Sequence, residues 1–452
     1  MSTAELVLPE CPRPEDRAPA PLPPRPRRVR RWLGALLARR VRRRGIDLAT
    51  LRVLPRAATV PLRRDGVGPA SALTALAARG PVHRLELPLD VAVHLVTGAA
   101  EARAVLADAD GYSTDVRHLF SGDGPVTGAD VGGLGFTDPP DHTRLRRLVA
   151  PEFTRARLQR LVPVVEGTVD RALDALEAAG SPADLVRHVA TPVPMSVIAG
   201  LLGLEGADEQ VLARLATRRF DATGGPAGAF GAVSAQRRLL AEAVAAQRRS
   251  PGDGLIGRIV REEGDAITDH ELAGLADGLV TGGFETTAST IALGTVVLLR
   301  DPAAAALVRG GSPADVAAVV EELLRLIAAV SVAFPRFARR PTVVGGTAVA
   351  PGDVVLVSLA AAGRDPRWAG DAPDDLDPHR APRGGHLAFG HGIHRCVGAE
   401  LARLELTTVL PALLRRFPDL ALAVPPERLA FRRLSFAHGL DALPLDLGRR
   451  AR

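Results

Sequence analysis

Hydrophobic residues recur at helical spacing through most of the chain. One such stripe, with three or four residues between successive members, consists of Leu161, Val165, Val169, Leu173 and Leu176. Residues at this spacing lie on one face of a helix, and the polar positions between them face solvent. The same periodicity dominates from residue 138 onward, so the sequence predicts a mainly α fold.

Two segments alternate with a period of two residues instead. Pro81–Gly98, "PVHRLELPLDVAVHLVTG", alternates on both sides of a Pro-Leu-Asp turn and predicts a β-hairpin. Val343–Leu359, "VVGGTAVAPGDVVLVSL", predicts hairpin-like strands with glycine turns. No internal repeat and no linker follows residue 45. The sequence therefore predicts one large domain, mainly α with small β-sheets, over residues 46–452.

The longest predicted helix runs from Thr268 to about Arg300. Thr268 and Glu271 form a capping box, and Asp301-Pro302 ends the helical pattern. A helix of this length is well above the average for globular proteins. We therefore expect it to cross the whole core.

The middle of this helix carries residues that a core helix usually lacks. Gly282 and Gly283 each cost about 1 kcal/mol relative to alanine, and Glu285 places a carboxylate in an apolar segment. Gly282 and Thr286 are four residues apart and share a face. Two interpretations stay open: a helix kinked at a close packing contact, with Glu285 paired to an arginine, or a proton-handling site beside a flat ligand.

Composition and charge narrow the possible classes of protein. The 452 residues are 46% hydrophobic, enough for a large core. The formal charge is +6, but ten arginines lie in Arg25–Arg44, and without them it is −4. This asymmetry argues against a nucleic-acid-binding domain. Residues 1–45, rich in Pro and Arg, predict a flexible extension whose "RRWLGALLARR" segment either contacts a membrane surface or partner or is simply solvated.

Cysteine usage points to a reducing compartment. The chain has two cysteines, Cys11 in the Pro-rich extension and Cys396 near the other end, so no disulfide framework is expected. No uncharged apolar run is long enough to span a bilayer. We therefore predict a cytoplasmic protein.

Cys396 lies in "HLAFGHGIHRCVGAELARLE", and three roles are open to it. It can be an inert buried residue, a zinc ligand, or a thiolate ligand of haem iron. Zinc would need four ligands, and no second cysteine is near. Gly390 and Gly392 allow a tight loop before the cysteine. The helix after Gly398 can stabilise a thiolate through its N-terminal N–H groups, and Arg395 adds positive charge, which favours haem.

Four motifs together resemble those of the cytochrome P450 family, in the family's order. They are "FGHGIHRCVG" (Phe389–Gly398), similar to the haem-binding loop; "GGFETT" (Gly282–Thr287), similar to the oxygen-activating stretch; "EELLR" with Glu322 and Arg325, similar to the Glu-x-x-Arg pair; and "DPPDHTRLRRL" (Asp138–Leu148), typical of soluble bacterial members. The motifs span residues 138–398, and the resemblance covers nearly everything after residue 45.

The resemblance implies a fold and a set of site residues. Haem b would lie between the long central helix and the cysteine-loop helix, with Cys396 as the axial thiolate ligand. Glu285 and Thr286 would deliver protons during oxygen activation. Further cofactor contacts would be His142, Arg146, Gly282, Arg336, Phe389, Gly390, His394 and Gly398. Glu322, Arg325 and Arg380 would be a structural ion-pair group. The substrate pocket would include Val330, Val332, Phe334 and Phe436.

The implied activity is that of a monooxygenase which uses O2 to hydroxylate or epoxidise a medium-sized, mostly apolar natural product. The 56 residues after Cys396 (397–452) cannot hold a flavin or iron–sulfur domain, so a separate ferredoxin and ferredoxin reductase would supply electrons. A monomer is expected. The alternatives are oxidative coupling, a peroxide-driven peroxygenase, and a haem protein that recruits or senses without turnover. The Glu285-Thr286 pair argues against the peroxide route.

Overall fold

The computed structural model of the protein describes residues 56–85, 92–119, 133–204, 208–223, 225–380 and 385–448. The predicted boundary near residue 45 lies outside these ranges and stays a prediction. Helices of nine or more residues within them are α1 (Ala99–Ala107), α2 (Asp141–Val149), α3 (Val162–Ala178), α4 (Pro192–Leu202), α5 (Glu209–Phe220), α6 (Gly225–Arg249), α7 (Leu255–Glu263), α8 (Asp269–Arg300), α9 (Pro302–Gly310), α10 (Pro313–Ile327) and α11 (Ala399–Arg416).

Shorter elements complete the described fold. Short α-helices span Arg56–Thr59, Ser71–Ala77, Arg155–Leu158, Leu359–Ala362 and Pro366–Ala369. The strands are β1 (Arg64–Asp65), β2 (Gly68–Pro69), β3 (Val82–Leu85), β4 (Val93–Val96), β5 (Tyr112–Ser113), β6 (Ala183–Asp184), β7 (Arg336–Ala338), β8 (Thr342–Val344), β9 (Thr347–Val349), β10 (Val354–Val357), β11 (Ala421–Leu422) and β12 (Pro444–Asp446).

The largest sheet has five strands in the order β3-β4-β10-β7-β5. The hairpin predicted over residues 81–98 is confirmed, because β3 and β4 pair antiparallel; its turn at 86–91 lies outside the described residues. The second prediction is right only for β8 and β9, which form an antiparallel hairpin. β10 instead pairs in parallel with β4. β4 is buried along its whole length, so its second edge also needs hydrogen-bond partners.

Helix α8 crosses the core, as its sequence predicts. Thr268 caps it, and the capping box with Glu271 is present. The helix is apolar on most sides and packs against α4, α5, α6, α10 and α11, as expected for a buried helix. Of the described helices, it alone is long and apolar enough to cross a membrane, but 72% of its most apolar 18-residue window is buried inside the protein.

The predicted stripe on α3 lies in the same core. Val165, Val169, Leu173 and Leu176 are buried, whereas Leu161 precedes the helix and is partly buried. α3 packs against α4 and α11. The core therefore holds α8 and the helix that follows the cysteine loop in one packed unit.

A buried ion-pair group fixes the chain ahead of the cysteine loop. The Glu322 carboxylate accepts two hydrogen bonds from Arg325, each 2.8 Å, and one from Nε of Arg380 at 3.0 Å. Arg325 also donates to the carbonyls of Gly363 (3.1 Å) and Pro373 (2.6 Å). The three residues assigned a structural role are thus brought together, and they tie α10 to residues 363–380.

Replacing Glu322 is expected to destabilise the fold strongly. Glu322→Gln leaves two buried guanidinium groups without a counter-charge, which typically costs about 3–5 kcal/mol. The matched control is Glu262→Gln, because Glu262 pairs with Arg258 on an exposed helix face and exposed pairs contribute only about 0–1 kcal/mol. Urea unfolding would measure both. Equal unfolding free energies for the two variants would contradict the structural role of Glu322.

Candidate active site

One face of α8 opens onto a space although the rest of the helix is buried. Gly278, Gly282 and Thr286 follow one another at intervals of four residues; both glycines are exposed and Thr286 is partly exposed. A Cβ atom added at either glycine would meet no atom within 4 Å. The Thr286 hydroxyl donates to the Gly282 carbonyl at 2.8 Å. This face therefore offers room for a bulky ligand beside a hydroxyl group.

The neighbouring carboxylate is turned away from solvent. Glu285 is fully buried and pairs with Arg432. It also accepts hydrogen bonds from the hydroxyls of Thr217 at 2.5 Å and Ser289 at 3.4 Å. The ion pair is the arrangement that the sequence left open as the first interpretation. A part for Glu285 in proton delivery stays a prediction.

The cysteine loop folds tightly around two glycines. Gly390 and Gly392 have φ of +68° and +71°, which disfavours any other residue there. A Cβ at Gly392 would also lie 2.2 Å from the Leu106 carbonyl oxygen. The Cys396 N–H donates to the Phe389 carbonyl at 2.8 Å. These constraints place the cysteine immediately before α11.

The surroundings of the Cys396 thiol combine dense packing with positive charge. The residue is accessible to solvent, yet the protein packed around it raises the pKa of the thiol by desolvation. A hydrogen bond from the Gly398 backbone and the charges of Arg146, Arg395 and Arg403 act on that pKa in the opposite direction. The net pKa of the thiol is raised, so these groups only partly offset desolvation; a bound metal ion would supply the remaining stabilisation, because the thiolate is the form that ligates a metal.

Three nitrogen-bearing side chains gather beside this loop, and the carboxylate whose charge reaches all three, Asp138, is itself paired elsewhere. Arg336 is 4% exposed and, in the described part of the chain, has no ion-pair partner; it donates to the Phe334 carbonyl at 2.8 Å. The rings of His142 and His394 lie 4.2 Å apart, and Nε2 of His142 is buried with no hydrogen-bond partner. Such a cluster suits the carboxylate of a ligand.

Burial and neighbouring positive charges lower the pKa values of this cluster, and the charge of Asp138 offsets that effect only in part. Desolvation lowers the pKa of Arg336 to about 10. Desolvation, together with the charges of Arg336 and His142, lowers the pKa of His394 to about 3. Arg146, four residues after His142, donates instead to the Arg395 carbonyl at 2.7 Å. Its predicted contact with a cofactor carboxylate stays a prediction.

Two of the predicted pocket residues are exposed phenylalanines, and the other two flank a backbone hydrogen bond to one of these. Phe334 and Phe436 are 47% and 40% exposed, which is unusual for large hydrophobic side chains. A backbone N–H between Val330 and Val332 donates to the Phe436 carbonyl at 3.1 Å and joins the two segments. Phe136 packs edge-on against Phe334, with ring centroids 4.6 Å apart. Sequence reasoning missed Phe136, although it stands just before the "DPPDH" motif.

The comparisons with known proteins agree with this geometry. Residues 316–425 match the family Cytochrome P450. The chain is 39% identical to cytochrome P450 165B3 of Amycolatopsis orientalis, over 84% of this chain and 96% of that protein. It is 41% identical to the cytochrome P450 monooxygenase PikC of Streptomyces venezuelae, over 82% and 89%. The chain belongs to the cytochrome P450 family.

The solved P450 structures share its architecture. OxyC, a P450 implicated in an oxidative C–C coupling reaction during vancomycin biosynthesis, superposes with a TM-score of 0.76 at 36% identity, covering 89% of this chain and all of that one. The predicted mainly α P450 fold is confirmed. The family also establishes a monooxygenase enzyme that depends on a haem-thiolate cofactor.

The residues present fit such a cofactor. Gly278 and Gly282 leave one helix face free of side chains, and Cys396 offers an accessible thiol. The buried Nε2 atom of His142 has no hydrogen-bond partner, and Arg336 has no ion-pair partner among the described residues, so a haem propionate would supply what each lacks. Thiol, open face and cationic cluster match the three chemical demands of a haem-thiolate site.

We predict that the cationic cluster governs how long haem stays bound. Arg336→Gln removes the buried cation and should speed haem loss roughly tenfold, the usual scale for partners of a metal-site ligand. The control is Arg340→Gln, because Arg340 lies two residues beyond the same strand, is exposed, and pairs with Asp108 at 3.0 Å. Haem transfer to excess apomyoglobin measures both rates. Equal rates would exclude Arg336 as a propionate partner.

Proposed function

We propose that this P450 inserts one oxygen atom of O2 into a medium-sized, mostly apolar natural-product intermediate, by hydroxylation or epoxidation. The observation that carries the proposal is the open face of α8, where the Thr286 hydroxyl stands beside side-chain-free Gly282. A proton donor at such a place suits controlled oxygen activation. The scarcity of cysteine favours a cytoplasmic location.

In this proposal the cofactor is haem b. Cys396 would be its axial ligand, and Arg336, His142 and His394 would bind its propionates. When bound, a thiolate-ligated haem activates dioxygen for attack on an unactivated C–H bond. The chain's own contribution is to hold the cofactor, to orient the substrate and to supply protons.

Thr286 is proposed to pass protons at its Oγ1 atom. That atom now donates to the Gly282 carbonyl, and rotation about χ1 would turn its hydrogen into the open space. Glu285 would replenish the proton. Because Arg432 and Thr217 hold its carboxylate, Glu285 must first leave that ion pair.

The lining supports an apolar substrate. Phe334 and Phe436 are exposed, and Val330 and Val332 lie on either side of the residue that bonds to the Phe436 carbonyl. A pocket of this composition binds mainly through apolar contact, and a few polar groups set orientation. This composition supports the natural-product class and not one particular molecule.

Electrons are proposed to come from a separate ferredoxin and its reductase. Arg147 and Arg395 are exposed near the cysteine loop and would attract an acidic partner. Arg144, on the same helix as Arg147, is engaged with Glu271. The docking surface therefore rests on the other two arginines.

A second candidate reaction is oxidative coupling of aromatic rings. It is supported by the likeness to OxyC, which is implicated in C–C coupling. The two reactions differ in product mass: oxygen insertion adds one oxygen atom, whereas coupling removes two hydrogen atoms. Candidate substrates found by haem spectral shift, turned over under ¹⁸O2 with a surrogate ferredoxin, should give labelled product. An unlabelled product lacking two hydrogens would establish coupling instead.

Thr286→Ala is expected to uncouple electron use from product formation. The resting spectrum and the substrate-induced shift should stay nearly unchanged, whereas product per NADPH falls and hydrogen peroxide rises. A proton-transfer group is worth roughly 10²–10⁴ in rate. Thr295→Ala is the control. The Thr295 hydroxyl donates to the carbonyl four residues before it at 2.8 Å, as the Thr286 hydroxyl does, but Thr295 is fully buried. Unchanged coupling in Thr286→Ala would show that water or the substrate carries the proton.

A further inference from the structure

Two adjacent carboxylates on α10 serve different parts of the chain. Glu322 binds Arg325 and Arg380, as described above. Glu321 turns toward the cysteine loop and binds Arg403 on α11 and His386 at the start of the loop. Glu321 is the first residue of the "EELLR" segment, but the Glu-x-x-Arg pair in that segment uses only Glu322 and Arg325, so the contacts of Glu321 call for an explanation of their own.

Glu321 holds both of its partners in defined geometry. Arg403 donates to it through Nε at 2.6 Å and Nη2 at 2.8 Å, a bidentate pair. Nε2 of His386 lies 3.1 Å from the same carboxylate, and Nδ1 of His386 accepts from the Ala388 N–H. In neutral His386 the proton therefore sits on Nε2. Burial alone would raise the pKa of Glu321, but these hydrogen bonds lower it to about 2.

The two partners contact the same aromatic ring. The Arg403 guanidinium carbon lies 4.8 Å from the centre of the Phe389 ring, within the range of a cation–π contact. The His386 ring centroid lies 5.5 Å from that of Phe389. The Phe389 carbonyl in turn accepts the hydrogen bond from the Cys396 N–H. A continuous set of contacts thus links Glu321 to the cysteine.

We propose that Glu321 is a positioning residue for the Cys396 thiolate, acting through Arg403 and His386 on Phe389. The inference rests on Cys396 being the axial ligand, as proposed above. By holding two side chains against one ring, Glu321 fixes the carbonyl that receives the cysteine N–H. Loss of this restraint would let the loop relax and the thiolate take up a proton and leave the iron.

The chain contains a matched control for charge. Glu400 also binds Arg403, at 2.7 Å, but within the described ranges it makes no hydrogen bond to His386. The side chains of Glu321 and Glu400 are 40% and 41% exposed. Glu321→Gln and Glu400→Gln therefore remove the same charge from the same arginine at equal exposure. Only the first variant releases the ring.

The experiment follows thiolate ligation in the haem-loaded, full-length protein. Reduced protein under carbon monoxide is warmed mildly, and conversion of the red-shifted Soret band into that of a haem without thiolate is timed. Glu321→Gln should convert roughly tenfold faster than wild type, the scale typical for a group that orients a metal ligand. Glu400→Gln should convert at nearly the wild-type rate. Urea unfolding of the same samples separates this effect from a general loss of stability.

Arg403→Lys provides a second variant if Glu321→Gln does not retain haem. Lysine keeps the charge but loses the planar fork that binds Glu321 and stacks on Phe389, so it should also convert faster. Two outcomes would overturn the role of Glu321 but leave the assignment of Cys396 intact. One is wild-type rates in both Glu321→Gln and Arg403→Lys, and the other is equal rates in Glu321→Gln and Glu400→Gln. A wild-type protein without the thiolate band would overturn the assignment of Cys396 as well.

Discussion

The candidate active site depends on helix α8, which is buried on most sides and open along one face. Helices on several sides pack around α8, and they provide the apolar burial that a 32-residue core helix requires. Gly278 and Gly282 keep one strip of that surface free. Each glycine costs about 1 kcal/mol of helix propensity, and the surrounding packing offsets that cost. The open strip therefore lies on a helix whose other sides are packed in the core, and this packing holds the strip in place.

The cationic cluster beside the cysteine loop is the second constraint on the site. Arg336, His142 and His394 gather nitrogen atoms near a single carboxylate, Asp138, which is already paired with Arg339. Depressed pKa values of Arg336 and His394 express the cost of that arrangement. A dianionic, flat cofactor relieves this cost and fills the space beside α8. Cofactor binding and stability of the folded chain are accordingly coupled, since a ligand that binds only the native state stabilises it.

Local features were predictable from the sequence, and long-range pairings were not. The capping box of α8 and the β3-β4 hairpin depend on residues close together in the chain, so spacing alone identifies them. Glu285 was recognised as a buried acid, but its partner Arg432 lies 147 residues away. The pairing of β10 with β4 is likewise tertiary. The Glu285 carboxylate pairs with Arg432, and a single sequence does not show which arginine reaches a given carboxylate.

The same reasoning explains why α10, which supplies no ligand, shapes the site. Successive residues of a helix point about 100° apart, so adjacent carboxylates address different segments. Glu322 fixes residues 363–380 before the cysteine loop, and Glu321 fixes the loop through Arg403 and His386. Because α10 also packs against α8, the loop and the open helix face share one rigid support. Two neighbouring glutamates thus connect one helix to the segments on both sides of the cysteine, while the same helix packs against α8.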